Sequence, residues 1–288
     1  MVTAVQICIL LLHSKAKCRS VSFQTELCLL IIMVTGGVFM YIVSRPKPLS
    51  DGRNQALTKK DATVYPPGYL RFLRRFGEGT YRGWLNVQFP DTEVLKPFAE
   101  YGLWEHDEDS PITEQQIGEC IVIGTTVDGD FLAVHPQTAG LLWLPRHAVH
   151  VKAISLQVRE QEDDGMYALV LDEVYRQVYG ISQEEAVYYE PWTGTRSHLF
   201  LRLPQGQDQL SLPDLAGMCQ ADFPPDLSIE TQYACFLFYR QLGGYVRLNY
   251  AYQQEVAVFY EQDAQQAFAV MEQWLLSKGC EAISGNNR

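Results

Sequence analysis

The 288-residue chain is 47% apolar and 20% charged, which excludes wholesale disorder, and its 12% of aromatic residues favours a strand-rich architecture over a helical bundle. Its charge is divided: residues 1–60 carry eight basic and two acidic side chains, a net +6, whereas the remainder carries 15 basic and 32 acidic ones, a net −17. A folded region this acidic repels the phosphate backbone, which argues against binding to nucleic acid. The same negative charge attracts a basic protein partner.

Residues 1–44 are predicted to be an apolar leader outside the mature protein. Their longest apolar stretch, Cys28–Val43, has 16 residues without a charge, whereas a membrane-spanning helix needs about 20. Three interpretations are open: a single membrane anchor, a stretch upstream of a true start at Met33 or Met40, or an edge strand over Phe39–Val43. The abrupt change of composition after this stretch favours the second.

Residues 45–61, which contain Pro, Gly, Ser and Asn, are predicted to be a linker, so a fragment beginning at Ser44 is expected to be soluble and to fold cooperatively. A short helix is predicted next, because Pro66-Pro67-Gly68 is a helix-entry signal and Gly77 suits a helix end. Its apolar residues recur at helical spacing and define one buried face. They are Tyr69, Phe72, Leu73 and Phe76.

The middle of the chain predicts an antiparallel meander. Gly83–Phe89 is a strand by composition, Val94–Trp104 is predicted as a short helix, and an acidic loop follows. Four strands joined by short turns then form the meander, with Asp128-Gly129-Asp130 as its first tight turn. Their predicted ranges are Glu119–Thr126, Phe131–His135, Leu141–Leu144 and Val149–Leu156.

The C-terminal part predicts a separate, smaller unit. Met166–Tyr179 is a helix by its apolar spacing, Leu199–Leu203 a strand, and residues 205–225 a loop. A C-terminal α/β unit is predicted over residues 226–280. It contains an aromatic helix or strand over Ile229–Leu242, a hairpin of Tyr245–Tyr250 and Glu255–Tyr260, and a helix capped by Asp263.

Several short motifs follow one another within residues 60–155. They are Pro66-Pro67-Gly68-Tyr69, Phe72-Leu73, Phe76-Gly77-Glu78-Gly79, Ile123-Gly124 and Asp128-Gly129-Asp130. In this order and spacing they resemble the SUKH superfamily, which includes the fungal cell-wall-assembly regulators and many bacterial immunity proteins. The matching positions are Pro67, Tyr69, Phe72, Leu73, Gly77, Gly79, Gly124, Gly129 and Asp130. In that family a helix bearing an acidic residue precedes the proline, and residues 59–61 do not supply one.

The resemblance implies an α+β fold with a curved antiparallel sheet and flanking helices, which would occupy residues 62–204 ahead of the smaller C-terminal unit. It also implies a protein-binding role without catalysis and without a cofactor. Immunity members of the superfamily bind and neutralise secreted toxins, often nucleases, and many nucleases are basic. Together with the net charge of −17, this gives the leading functional hypothesis of an immunity protein that binds a basic toxin domain.

Two acidic runs and one aromatic residue are the predicted partner-binding positions. The runs lie in loops of the predicted fold, and the tryptophan lies in an aromatic cluster that would anchor a partner. The positions are Glu105, Asp107, Glu108, Asp109, Glu162, Asp163, Asp164 and Trp192. An acidic loop also occurs as an ordinary solvated loop, and a Tyr-Tyr-Glu-Pro-Trp cluster as part of a core.

Two alternative functions are weighed against this hypothesis. One is a metal-dependent hydrolase that uses His147 and His150, although residues three apart in a strand point to opposite faces and zinc requires a further ligand. The other is a membrane-tethered regulatory scaffold that uses Cys28–Val43. The seven cysteines are scattered and form no C-x-x-C pair, which favours a reducing, cytoplasmic compartment over a disulfide framework.

Overall fold

The computed structural model describes residues 33–35, 38–58, 65–156, 165–182, 186–204, 210–252 and 254–283. It confirms the α+β fold class: helices pack on two largely antiparallel sheets. The first sheet has nine strands, β1 (Met33–Thr35), β2 (Val38–Ile42), β3 (Gly79–Tyr81), β4 (Leu85–Asp91), β5 (Ile121–Thr126), β6 (Phe131–His135), β7 (Thr138–Leu144), β8 (Lys152–Ile154) and β9 (Val187–Pro191).

The second sheet and the helices complete the described part of the chain. The six strands of the second sheet are β10 (Arg196–Arg202), β11 (Leu227–Glu230), β12 (Ala234–Tyr239), β13 (Gly244–Asn249), β14 (Glu255–Glu261) and β15 (Glu281–Ala282). The described α-helices are α1 (Asp51–Thr58), α2 (Tyr69–Phe76), α3 (Glu114–Ile117), α4 (Met166–Tyr179), α5 (Leu212–Asp222) and α6 (Gln265–Ser277). Two 3-10 turns in the described ranges span Pro97–Glu100 and Gln262–Ala264.

The first sheet has the strand order β1-β2-β9-β3-β4-β5-β6-β7-β8. All neighbouring strands are antiparallel except β2 and β9, which are parallel. Strands β5 to β8 follow one another both in the chain and in the sheet, so the predicted meander is confirmed. Its last strand is shorter than predicted, Lys152–Ile154 instead of Val149–Leu156.

Helix α2 has the predicted bounds, and its predicted face is its buried face. Tyr69, Phe72, Leu73 and Phe76 have no exposed surface. The ring of Phe72 lies edge-on to that of Tyr167 in α4 and that of Tyr189 in β9, at centroid distances of 5.6 and 4.8 Å. Gly77 ends the helix at a φ of 74°, and a side chain there would collide with the backbone carbonyl of Lys47.

Each sheet buries an apolar face under helices or turns. Alternate residues of β7 point to opposite faces, so Trp143 packs towards Tyr179 of α4 while its neighbours Leu142 and Leu144 face the segment around the first 3-10 turn. In the second sheet, α5 and α6 cover one face. The buried residues of that core include Leu215, Cys219, Cys235, Leu237, Val246, Val258, Phe268, Met271 and Leu275.

The two sheets meet at an aromatic junction. Tyr41 of β2 and Tyr188 of β9 pack against Phe238 of β12, with ring centroids 5.6 and 4.9 Å apart. Beside them, Glu261 is almost fully buried and accepts hydrogen bonds from Thr193 Oγ1 at 2.9 Å and from Thr195 Oγ1 at 2.7 Å. The buried carboxylate therefore has the partners that its desolvation requires.

The predicted leader and linker contain regular structure. Strand β2 pairs with β9, and Met40 and Val43 are 2% and 1% exposed, so the end of the predicted leader is a strand of the first sheet. It is not the edge strand of the third interpretation, because β1 pairs with its other side. Residues 1–32, 36 and 37 lie outside the described ranges. They include most of the part of Cys28–Val43 that precedes β2. In the described ranges, no helix has the length and apolarity needed to cross a bilayer. Helix α1 occupies half of the predicted linker.

Four further predictions differ from the structure. Residues 205–225, predicted as a loop, contain α5, whose first turn is capped by Ser211 accepting from the Asp214 amide. Val94–Trp104 yields one 3-10 turn in place of a helix. Ile229–Leu242 is divided between β11 and β12, because Thr231 closes a turn by accepting from the backbone amide of Ala234. Asp263 makes no cap: α6 begins after Ala264 and has no side-chain cap.

We expect residues 33–43 to stabilise the protein, in contrast to the prediction for a fragment beginning at Ser44. Without them, the burial of Met40 and Val43 is lost and β9 becomes an open edge. Full burial of one such side chain contributes about 1.5–3 kcal/mol. Fragment 44–288 should therefore have a free energy of unfolding several kcal/mol below that of fragment 33–288, as measured in urea. Equal unfolding midpoints would show that β2 contributes nothing.

The thiols of fragment 33–288 give a second test of this core. All four of its cysteines are free and buried, and burial raises the pKa of Cys120 to about 12 and those of Cys219, Cys235 and Cys280 to about 11. Since only the thiolate reacts readily, we expect no reaction with Ellman's reagent at pH 8 in the native state and four reacting thiols in urea. A thiol that reacts before unfolding would contradict the described core.

Candidate protein-binding surface

The predicted acidic loop of residues 105–109 is attached to the first sheet at two points. Trp104 is buried, and its indole Nε1 donates a hydrogen bond to the carbonyl of Pro145, just after β7, at 2.7 Å. The amide of Glu105 donates to the carbonyl of Val149 at 2.7 Å, which pairs the loop with the segment between β7 and β8. The loop is therefore held against that end of the sheet.

Hydrogen bonds within the loop fix its shape. Asp107 accepts from the amide of Asp109 through its side chain and from the amide of Ser110 through its carbonyl, both at 3.2 Å. His106 Nδ1 lies 2.8 Å from the carbonyl of Ile112. A carbonyl only accepts, so Nδ1 carries the proton and donates it. These contacts order the backbone of the loop without using most of its carboxylate oxygens.

The carboxylates of the loop face solvent. Glu105, Asp107, Glu108 and Asp109 are all exposed. Among the described residues, their one ion pair joins Oε2 of Glu105 to Nε2 of His150 at 3.9 Å, and both side chains are more than half exposed. A cluster of exposed carboxylates without lysine or arginine partners produces a negative potential that attracts a basic surface.

Apolar side chains lie beside these carboxylates. Tyr101, Leu103 and Val149 are 63%, 48% and 46% exposed, large fractions for such residues. Tyr101 packs on Phe98, whose ring in turn stacks on Trp104. We refer to this set as the 101–109 surface. It consists of Tyr101, Leu103, Glu105, Asp107, Glu108, Asp109 and Val149. Sequence reasoning missed its apolar members, because Val94–Trp104 was assigned to a helix and Val149 to a strand.

Of the other predicted partner-binding residues, Trp192 does not join this surface. Glu162, Asp163 and Asp164 lie outside the described residues. Trp192 is 45% exposed, follows β9, and donates from Nε1 to Thr80 Oγ1 in β3 at 3.2 Å. Strands β4, β5 and β6 lie between β3 and β7. At roughly 4.8 Å per strand, β3, which Trp192 contacts, is therefore about 19 Å across the sheet from β7, near which the 101–109 surface lies. Trp192 is therefore a separate exposed aromatic residue.

The residues on which the SUKH resemblance rests contribute to core packing, helix ends and close backbone contacts. Tyr69, Phe72 and Leu73 form the buried face of α2, and the Tyr69 hydroxyl donates to the carbonyl of Gln88 in β4 at 2.6 Å. Pro67 precedes this helix, and Gly77 ends it. Gly79 lies in β3 close to the backbone of β9, and Gly124 lies at an irregularity in the pairing of β5 with β6.

The Gly129-Asp130 turn supports the base of the 101–109 surface. Asp130 is 8% exposed; its Oδ1 accepts from the Arg146 amide and its Oδ2 from Thr126 Oγ1, both at 2.8 Å. Gly129 has a φ of 93° and packs against the Arg146 side chain. The turn thereby holds the residue next to Pro145, to which the Trp104 indole is bonded.

The histidine pair of the hydrolase alternative is exposed. His147 and His150 lie in the segment between β7 and β8. Two other residues of zinc-binding type have different partners: His135 is buried and bonded to Glu119, and Cys120 donates to a backbone carbonyl. In the part of the chain that the structure describes, no three His, Cys, Asp or Glu side chains are grouped to hold a metal ion.

Comparison of the chain with protein-family models, with curated proteins and with solved structures gives no match in any of the three.

The Trp104 hydrogen bond should control the order of the loop. Trp104→Phe keeps most of the buried ring but leaves the buried Pro145 carbonyl without its donor, which costs about 1–3 kcal/mol. We expect a lower free energy of unfolding and faster amide hydrogen exchange at Glu105 and Ser110. The matched control is Trp192→Phe, which removes a bond at an exposed site and should change stability by less than about 0.5 kcal/mol. Equal effects of the two variants would contradict the anchoring role.

Proposed function

We propose that the protein is a non-enzymatic binding module that holds a basic protein domain on its 101–109 surface. By its resemblance to the SUKH superfamily, its role would be that of an immunity protein and its partner a secreted toxin, for example a nuclease. The observation that carries the proposal is the combination of four exposed carboxylates with three exposed apolar side chains, on a loop held by buried contacts and on the segment between β7 and β8 that pairs with it.

The arrangement suits protein recognition for three reasons. Exposed aromatic and aliphatic side chains supply surface that is desolvated on binding, and this provides most of the affinity of an interface. The carboxylates around them accelerate the encounter with a basic partner and exclude acidic ones. Because the loop is already ordered by its own hydrogen bonds, binding costs little conformational entropy.

The order of structural elements supports the resemblance. Helix α1 precedes Pro66 and bears an acidic residue, Asp51, in its first turn, a feature that residues 59–61 do not supply. Helix α2, the Gly77–Gly79 segment and the Gly129-Asp130 turn follow in family order on one sheet. The motif residues serve packing and turns, so their place in the proposal is to build the scaffold of the surface.

Neither alternative function is favoured by a specific observation. The two exposed histidines have no third ligand grouped with them in the described ranges, so the hydrolase finds no support there. A membrane anchor over Cys28–Val43 would require helix where Val38–Ile42 forms strand β2. The four described cysteines are free and buried, which supports a reducing, cytoplasmic location as part of the proposal.

The proposal is tested with a panel of purified, strongly basic toxin nuclease domains on a surface-plasmon-resonance chip. We expect one member to bind with an on-rate above the roughly 10⁵–10⁶ M⁻¹s⁻¹ of neutral pairs. Raising salt from 0.1 M to 1 M shortens the Debye length from about 10 to about 3 Å, so the on-rate should fall while the off-rate changes little. Asp107→Lys, Glu108→Lys and Asp109→Lys combined should reduce the on-rate at least tenfold at low salt.

Two variants separate steering from packing. Leu103→Ala should mainly raise the off-rate, since it removes buried apolar contact. The charge-matched control combines Asp214→Lys, Asp263→Lys and Glu281→Lys, three exposed carboxylates around the second sheet, and should leave the on-rate within about twofold of the native value. An on-rate that changes neither with salt nor with the substitutions of Asp107, Glu108 and Asp109 would mean that the acidity of the loop serves solubility alone.

A further inference from the structure

The second sheet carries a cleft that the proposed function does not use. Its volume is about 620 Å³, within the range of small-molecule sites. It opens between the end of α5, the β12–β13 turn and the beginning of α6. Most of its lining residues are apolar, among them Leu242, Ala267, Val270 and Met271, and its acidic residues are Asp222 and Asp263.

The floor of the cleft is buried and its rim is exposed. Tyr239, Leu242 and Met271 belong to the core beneath α5 and α6 and are at most 4% exposed. The Tyr239 hydroxyl donates to the carbonyl of Phe223 at 3.1 Å, which fixes one wall. Val270 on the rim is 53% exposed, a large fraction for a branched apolar side chain. An apolar ligand body would cover this surface without rearranging the floor.

The charges at the rim select a cation. Among the described residues that line the cleft, the charged side chains are two carboxylates, Asp222 and Asp263, with no lysine or arginine. The negative charge of Asp263 is partly compensated, because its carboxylate lies near the positive end of the α6 dipole and 3.9 Å from the Arg45 guanidinium. Asp222 is the last residue of α5, where the helix dipole adds to its negative charge. One oxygen of Asp222 accepts from Trp274 Nε1 at 2.9 Å, which orients the carboxylate.

We propose that this cleft binds a small organic cation, an aromatic or branched aliphatic body that carries one primary ammonium group. The body packs on Leu242, Ala267 and Met271, and the ammonium group forms a charge-assisted hydrogen bond with Asp222. This site is independent of the 101–109 surface and of the immunity role.

The test uses the full-length protein, labelled with ¹³C at its methionine methyl groups, and 4-phenylbutan-1-amine as the probe. The Met271 methyl signal, assigned with Met271→Leu, should shift on titration and give a Kd. The neutral analogue 4-phenylbutan-1-ol should bind about tenfold more weakly, because it lacks the charge-assisted bond. Asp222→Asn retains an acceptor for the Trp274 indole and should weaken binding of the amine by a similar factor while leaving the alcohol unchanged.

Blocking and control variants complete the design. Ala267→Phe fills the cleft and should abolish binding; if it does not fold, Gln266→Trp at the exposed rim serves instead. Asp107→Asn on the 101–109 surface is the control and should leave the Kd for the amine unchanged. The proposal is overturned if the amine leaves the Met271 signal unmoved at millimolar concentration, if amine and alcohol bind alike, or if Asp222→Asn has no effect.

Discussion

Strand β9 couples the two sheets, because successive side chains of a strand point to opposite faces. Tyr189 points into the core of the first sheet, where its ring lies 4.8 Å from that of Phe72 in α2. Its neighbours Tyr188 and Glu190 serve the junction: Tyr188 packs on the aromatic face of the second sheet, and Glu190 pairs with Arg196. A one-residue slip of β9 would reverse all three orientations. The packing of α2 and the junction therefore depend on one register, which β2 and β3 fix from either side.

The 101–109 surface depends on the same sheet at its far end. Four strands, β3 to β6, separate β9 from β7. Pro145 directly follows β7 and its carbonyl accepts a hydrogen bond from the Trp104 indole, while the Gly129-Asp130 turn holds Arg146 beside it. The negative field is thus carried by a loop whose buried side is fixed by neutral hydrogen bonds. Since the exposed carboxylates contribute little to that attachment, they are available to a partner. The second sheet has a different chemistry, an apolar cleft with a carboxylate rim.

Local sequence pattern predicted what local interactions determine. The 3.6-residue spacing of α2 and α4 gave both helices with their observed bounds, and short turns gave the meander and the hairpin of β13 and β14. Strand β2 was assigned to a leader because its partner β9 is almost 150 residues away, and no local signal reports such a pairing. The acidic loop could be found from composition. The exposure of Leu103 and the cleft could not, because both result from the packing of segments that are distant in the sequence. Helix α5 did have a signal in Ser211 ahead of Leu212-Pro213, which was overlooked in a polar stretch.

Amide hydrogen exchange of the complex with a basic toxin domain tests the central claim most directly, because it locates the contact without any substitution. If the 101–109 surface is the binding site, protection on binding should be concentrated at residues 101–110 and 147–151. Exchange in β11 to β14 and around Trp192 should stay as in the free protein. Protection confined to the second sheet or to the segment after β9, with the 101–109 surface unchanged, would contradict the account.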